Sequence, residues 1–288
     1  MRGIILAGGT GSRLFPLTLS ISKQLLPVYD KPLFFYPLSL LMAASIRDIT
    51  IITRPSDINQ FKNFFGNGDC LGISLKYLVQ DNPRGLPEAF LIARDQIKNE
   101  DCTLVLGDNL FYGSQIGAII RRNITRSGAK IYGYQVQDVS NYGSFEIDSN
   151  EQIINIVEKP IDKKRGLAIP GIYHFDHTVA DRSAALKPST RGEPEIVDLL
   201  NSYLLESKLE YSILDRGTSW LDTGTIENLN LASELVRVVQ TRQGMLIGSP
   251  EEVAYRMGWI TSTQLSQIAS NYAYSDYGKA LRDLIFEL

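Results

Sequence analysis

Cysteine and histidine are almost absent. The 288 residues hold two of each. Cys70 and Cys102 are too few for a disulfide framework, so a reducing cytoplasm is the expected compartment. Both histidines, His174 and His177, lie in "GIYHFDHTVAD" with no cysteine beside them. That placement reads as structural or exposed rather than zinc-binding. No apolar run is long enough to span a bilayer, and no signal-like apolar segment opens the chain, so no membrane partner is expected. Positive charge is not in excess either: 29 basic residues face 32 acidic ones, for a net charge of −3. General affinity for nucleic acid is therefore not expected. There is also no G-x-S-x-G, no Ser/His/Asp set and no cysteine with a histidine nearby. Covalent catalysis by a protein nucleophile has no candidate.

What is present begins with "GIILAGGTGSRLFPLTLSISKQLLPV" at Gly3. An apolar run feeds into Gly8, Gly9 and Gly11, with Arg13 just after and Lys23 further on. A P-loop would need G-x-x-x-x-G-K-[ST], which is missing. A dinucleotide fingerprint would need a third glycine where Leu14 stands, and Pro16 argues against a long helix there. The remaining reading is a glycine turn whose backbone amides crowd a phosphate, gripped by an arginine fork and a lysine charge. An ordinary tight turn with solvated cations is the alternative.

Length and a hydrophobic content of 44% suit one large α/β domain with a helical appendage, divided at 1–225 and 226–288. Strand patterns at 4–6, 49–53, 75–79 and 104–106 alternate with helical patterns at 37–45, 58–65 and 87–98. That alternation predicts a doubly wound, mostly parallel sheet, with ligands at the carboxyl ends of its strands. Strands at 130–136, 143–147, 153–157 and 168–175, with little helix between them, predict an antiparallel excursion. Helices follow from about 178 and 195, then a strand near 211–214. From about 226 the pattern is helical.

Several strand ends carry chemistry. Asp108 follows the apolar "TLVLG", and Asp222 sits in "WLDTGT". One carboxylate at each of two strand ends, with phosphate oxygens and water, suits Mg²⁺; turn formation is the plainer reading of "GDN". Glu158-Lys159-Pro160 closes "IINIV". The lysine could reach a phosphate and the glutamate sugar hydroxyls, or the two form a surface ion pair. Gln80 ends "SLKYLV", and an amide there could read a base edge, with Gly85 leaving room for the base. Without a nucleophile, transfer at phosphorus by positioning and cations is the chemistry that fits.

The blocks "GIILAGGTGSRLFPLT", "SKQLLPVYDKPLFFYPLSLLM", "LVLGDNLFYG", "YGSFEID", "VEKP", "KPSTRGEPEI", "WLDTGT" and "PEEVAYRMGW" occur in that order. Through them the chain resembles the sugar nucleotidyltransferases, with a Rossmann-like fold, and within them the glucose-1-phosphate thymidylyltransferases. The resemblance implies Mg²⁺-dependent condensation of dTTP with glucose 1-phosphate to dTDP-glucose and pyrophosphate, at the entry to dTDP-rhamnose and deoxysugar synthesis, by a cytoplasmic homotetramer. UTP or another sugar phosphate, or a non-catalytic sugar-nucleotide-binding role, are the alternatives. A metal-dependent glycosyltransferase would be expected to show D-x-D, which "GDN" is not. By resemblance, Gly8, Gly9 and Gly11 cradle the triphosphate, and Arg13 and Lys23 bind and polarise it. Gln24, Gln80, Pro83 and Gly85 hold thymine. Asp108 and Asp222 hold the metal. Tyr142, Gly143, Glu158, Ile169 and Tyr173 hold the hexose, and Lys159 with Arg191 its phosphate. Tyr112, Gly113, Glu251, Glu252 and Arg256 fall in the family's regulatory pocket.

Three departures stand out. Ile169-Pro170 replaces a Val-Thr-like pair before Gly171. Leu86-Pro87-Glu88-Ala89 replaces Leu-Ala-Gln-Ala, placing a carboxylate near the base site. Gly117-Ala118 replaces a His-Glu pair of the regulatory pocket, so feedback by dTDP-rhamnose is expected to be weak.

Overall fold

The computed structural model describes residues 1–124, 127–161, 164–189 and 192–287. β1 (Arg2–Ala7) is followed by two short strands, β2 (Pro27–Val28) and β3 (Lys31–Pro32), and by α1 (Phe35–Ala43). Then β4 (Asp48–Thr53), α2 (Ile58–Phe65), β5 (Ser74–Val79), α3 (Glu88–Ile92) and β6 (Cys102–Leu106) alternate. Next come β7 (Asn109–Tyr112), α4 (Ile116–Arg122), β8 (Ala129–Val136), β9 (Gly143–Ile147), β10 (Ile153–Glu158), β11 (Gly166–Ala168) and β12 (Ile172–Phe175). α5 (Val179–Ala185), α6 (Ile196–Leu204), β13 (Leu209–Ile213) and β14 (Ser219–Asp222) lead to α7 (Ile226–Gln243), α8 (Pro250–Arg256), α9 (Ser262–Ser270) and α10 (Asp276–Glu287).

One ten-stranded sheet organises the chain, in the order β10-β9-β11-β8-β12-β6-β1-β4-β5, with β13 pairing β8 off that path. The half from β6 to β5 is parallel, and β12, β11, β9 and β10 run antiparallel to their neighbours. This is the expected α/β fold with its antiparallel excursion. β1 is central, and Ile4, Ile5 and Ala7 are fully buried, as an apolar parallel strand covered on both faces requires.

Two elements differ from the pattern read in the sequence. The strand expected over 168–175 is two strands broken at Ile169–Gly171. Pro170 has no N–H for a ladder, and the Gly171 carbonyl accepts from Leu106 N at 2.9 Å. The break lets the chain leave the β8–β9 pairing of β11 and enter the β8–β6 pairing of β12. The helix expected over 87–98 stops at Ile92; beyond it the Gln96 and Ile97 amides both turn onto the Ala93 carbonyl.

The C-terminal helices share the main core rather than building another. Ala254, Ile260, Leu265 and Leu281 join the same buried cluster as Ile5, Leu38 and Leu41. Their N-termini are capped by side chains: Thr225 accepts from Asn228 N, Ser249 from Glu252 N, and Thr261 forms a capping box with Gln264. Among the described residues no helix is long and apolar enough to cross a membrane.

Candidate active site

Register places the chemistry-bearing loops side by side. Gly107 N donates to Leu6 O at 2.9 Å and Gln80 N to Thr53 O at 2.9 Å. The glycine loop after β1, Asp108 after β6 and Gln80 after β5 therefore leave the sheet at one edge, the carboxyl end of parallel strands. Asp222 arrives by a different route. β14 pairs antiparallel with β7 so that Asp222 lies opposite Asn109. Thr223 then locks the ends together: its N and its Oγ1 each donate to Asp108 O at 3.0 Å.

Between these loops lies a cleft of about 270 Å³, lined among others by Arg13, Asp108, Asn109, Tyr142, Gly143, Glu158, Lys159, Ile169, Tyr173, Trp220, Asp222 and Asn228. Lys23 Nζ donates to Asp108 Oδ2 at 2.6 Å from an almost fully buried position. Burial alone would raise the Asp108 carboxyl. The Lys23 charge and hydrogen bond, with a further bond from Asn109, outweigh it and hold Asp108 below the usual carboxylate range. Asp222 goes the other way. Burial pushes it up and the nearby Asp108 charge adds to that, against a hydrogen bond from the Tyr142 hydroxyl at 3.1 Å. Asn228 Nδ2 also donates to Asp222 Oδ1, at 2.9 Å. Arg13 completes the cluster: a Cβ placed on Gly224 would lie 3.0 Å from Asp222 Oδ2 and 3.4 Å from an Arg13 guanidinium nitrogen. Among the described residues no group of three or more His, Cys, Asp or Glu could hold a metal.

The glycine loop is shaped for close approach. Gly11 has φ of +64° and opens a short 3₁₀ turn over Ser12–Leu14; its carbonyl accepts from Thr18 Oγ1 at 2.8 Å. A Cβ added to Gly9 would meet nothing within 4 Å, so its backbone is open to a ligand. On the opposite wall, Lys159 N donates to Tyr142 O at 3.0 Å and Ile169 N to Gly143 O at 2.7 Å, which gathers the segments expected to meet a sugar phosphate. Lys159 has φ of +45° and Nζ 3.6 Å from Glu158 Oε1. Tyr173 is buried, and burial plus the Glu158 charge push its phenol up. Arg191 lies outside the described residues.

The other expected residues are placed as follows. Gln80 is buried, and its Oε1 lies where a Cβ on Gly8 would come within 2.2 Å of it. Gln24 is buried and accepts from Ser22 Oγ at 2.8 Å. Gly85 has φ of +83°, and a Cβ there would stand 2.1 Å from Pro194 O, a packing reason for glycine beside any base contact. Pro83 borders a neighbouring groove with Arg84, Leu91 and Leu186. Away from the cleft, Tyr112 OH donates to Gln243 at 3.3 Å and Gly113 packs on Thr218. Glu251 is fully buried and accepts from Tyr277 OH and Ser249 Oγ; Glu252 accepts from Arg256 Nε at 2.7 Å. Gly117 packs so closely on α1 that a Cβ would meet Ala43 Cβ at 2.5 Å, so no larger side chain fits there.

Three cleft residues have no counterpart among those read from the sequence. Trp220 donates its indole N–H to Asn109 Oδ1 and lays its ring against Tyr142, centroids 4.9 Å apart. Asn228 sits on the first turn of α7. Trp220 carried a signal, since it stands two residues before Asp222; Asn109 and Asn228 carried none beyond turn and cap chemistry.

The match to known proteins is extensive. The family model described as nucleotidyl transferase matches residues 2–237. A glucose-1-phosphate thymidylyltransferase of Mycolicibacterium smegmatis is 48% identical over 99% of both chains. One of Mycobacterium tuberculosis is 46% identical over 99% of both. A Bacillus anthracis crystal structure with sucrose, described as a putative glucose-1-phosphate thymidylyltransferase, shares 38% identity. It superposes with a TM-score of 0.76 over 82% of this chain and 95% of that one. The chain belongs to the nucleotidyltransferase family, in the glucose-1-phosphate thymidylyltransferase branch that it matches from end to end.

Proposed function

We propose that this enzyme condenses dTTP with α-D-glucose 1-phosphate to give dTDP-glucose and pyrophosphate. The observation that carries the reading is the convergence of Lys23, Asp108, Asp222 and Arg13 at one strand edge, facing Lys159 and Glu158 across a cleft whose described residues include no nucleophile–base pair. A phosphate oxygen of glucose 1-phosphate attacks the α-phosphorus, and the bond from that phosphorus to the pyrophosphate oxygen breaks. The attacking oxygen carries no proton, so no general base is needed. Positioning and charge neutralisation remain as the protein's work.

A divalent cation fits the residues present. Two carboxylates share the site, and Asp222 is held above its ordinary range partly by the charge of Asp108, a conflict that a cation relieves. A cage of two carboxylates is also too small to hold an ion alone, which suits Mg²⁺ completed by substrate phosphates and water. Bound there by Asp108 and Asp222, Mg²⁺ would neutralise charge on the triphosphate. The glycine loop supplies amides to the triphosphate, and Arg13 binds it from the side of Asp222. Lys159 binds the sugar phosphate, Glu158 accepts from hexose hydroxyls, and Trp220 and Tyr142 form an apolar wall that excludes water. Lys23, bonded here to Asp108, would be free to bind phosphate with a cation held by that carboxylate. The same reading carries a cytoplasmic homotetramer and weak feedback by dTDP-rhamnose, the latter supported by the absence of room for a side chain at Gly117.

Pyrophosphate release measured over a matrix of nucleoside triphosphates and sugar 1-phosphates tests the proposal. dTTP with glucose 1-phosphate should give the highest kcat/KM. Release from no pair, or a clear preference for another pair, would reject it.

A further inference from the structure

One carboxylate beside the cleft has no part in the chemistry above. Glu88, at the start of α3, sends Oε2 to two donors: Gln80 Nε2 at 2.7 Å and the backbone N of Arg84 at 3.0 Å. An ionised carboxylate only accepts. Whichever end of the Gln80 amide faces it must therefore be the NH₂ end. The other end, Oε1, is left over the Cα of Gly8, within 2.2 Å of where a Cβ would stand, and no described residue donates to it. Gly8 thus makes the room and Glu88 sets the direction.

We infer that Glu88 is a positioning residue for base selection: it fixes the Gln80 amide so that a carbonyl oxygen, not an NH₂, meets the base. The inference rests on Gln80 being the base contact of the proposed reaction. An acceptor at that point selects bases that present a ring N–H, the imide edge of thymine or uracil. Cytosine presents a bare ring nitrogen at the same position and needs a donor. To supply one, Gln80 must turn over and put its oxygen against the Glu88 carboxylate. That loses a charge-assisted hydrogen bond and sets two acceptors face to face.

The test is kcat/KM for dTTP and for dCTP, each with glucose 1-phosphate, in wild type, Glu88→Met, Glu88→Gln and Gln80→Ala. Glu88→Met keeps the length of the side chain but removes the acceptor. It should raise dCTP efficiency about tenfold while dTTP efficiency stays within about threefold. Glu88→Gln should keep the wild-type ratio within about threefold, because the Arg84 N–H still selects the oxygen end of the new amide. An unchanged dTTP:dCTP ratio in Glu88→Met would overturn the inference, and so would equal loss of selectivity in Glu88→Gln. Gln80→Ala separates this from the reading beneath it. If Gln80→Ala leaves the ratio at its wild-type value, Gln80 is not the base contact and the underlying reading fails instead. A general weakening of the fold would lower both efficiencies together and leave their ratio alone.

Discussion

Two buried lysines, only eight positions apart, each pair with an aspartate, and they do opposite things. Lys31 Nζ lies against Asp30 Oδ1 at 2.5 Å and Gln240 Oε1 at 2.9 Å, between the rings of Tyr36 and Tyr277 at 5.3 and 5.4 Å. Gln240 Nε2 returns to Asp30 Oδ2 at 2.9 Å and its Oε1 also accepts from Ile247 N. That ring of bonds joins the β2–β3 hairpin to α7 and the chain after it. Burial pushes the Lys31 ammonium below its usual range, against the pull of Asp30. Lys23 is almost as buried, but its partner Asp108 keeps 31% of its side chain exposed, towards a cleft with a glycine loop on one side and Asp222 on another. In the Lys31 pair both Asp30 oxygens and the Gln240 amide are bonded within the chain, and Asp30 keeps only 19% of its side chain exposed, so this pair holds elements together. A pair open on the carboxylate side can exchange its lysine for another cation. Burial of the charge does not separate the two roles; access to the partner does.

The largest expected effect comes from the open side. Asp222→Asn should lower kcat about 10³-fold, the scale of removing one charge-stabilising group from an active site. Stability should move the other way. The folded Asp222 carboxyl sits above its unfolded value, so metal-free wild type loses stability as pH rises through the carboxylate range, and the amide avoids that loss. At pH 7 in EDTA, calorimetry should give the variant a Tm equal to or above wild type. In Mg²⁺ the wild-type Tm should rise more than that of the variant. Wild-type turnover at saturating Mg²⁺ would remove Asp222 from the site.

On the sealed side, Lys31→Met should cost about 3 kcal/mol, since it leaves a partly buried carboxylate without its cation. Urea unfolding should show the loss, while kcat per folded molecule stays within about twofold. A fall in kcat at full folding would mean that the two clusters are coupled.

Smaller again is the contrast between the cleft's two walls. Arg13→Ala should raise the KM for dTTP and Lys159→Ala the KM for glucose 1-phosphate, each by roughly ten- to a hundredfold for the loss of one charge-assisted bond. Equal damage to both KM values by both variants would erase the division between walls.

The effect that is smallest at neutral pH, and grows only on acidification, concerns a group that belongs to neither cluster. His174 is buried on β12 between Thr103 Oγ1 at 2.7 Å and Tyr132 OH at 2.9 Å. Burial lowers its pKa to about 3, with Lys130 adding to the shift. The unfolded chain then binds the proton first, so stability falls as pH drops below about 6.5, by at most about 1.4 kcal/mol per pH unit. His174→Gln should flatten that slope between about pH 6.5 and 4 in thermal unfolding.

What was legible in the sequence follows from how local each signal is. The parallel half of the sheet announced itself through short apolar strands ended by Gly, Asp or Gln, and Asp108 through its place after one of them. Asp222 was legible as a motif, but its approach to Asp108 depends on the β7–β14 ladder and on Thr223, a pairing across the whole domain that no local pattern encodes. The short α3 was overestimated because 87–98 carries a helical pattern throughout. Gly117 looked like a lost ligand residue; α1 explains it by the closeness of Ala43. Glu88 read only as a charge near a base, because its role depends on which atom of Gln80 it faces. Lys23 stood out behind the glycine loop, but neither its bond to Asp108 nor the Lys31–Asp30–Gln240 set is legible locally, since each joins segments far apart in the chain.

The most direct test of that distinction is Lys23→Met, assayed for pyrophosphate release from dTTP and glucose 1-phosphate in saturating Mg²⁺, beside Lys31→Met at equal folded fraction. Lys23→Met should lose about a hundredfold or more in kcat/KM, while Lys31→Met turns over like wild type. Wild-type efficiency in Lys23→Met, or an equal loss in both, would contradict the assignment of the open pair to chemistry and the sealed pair to structure.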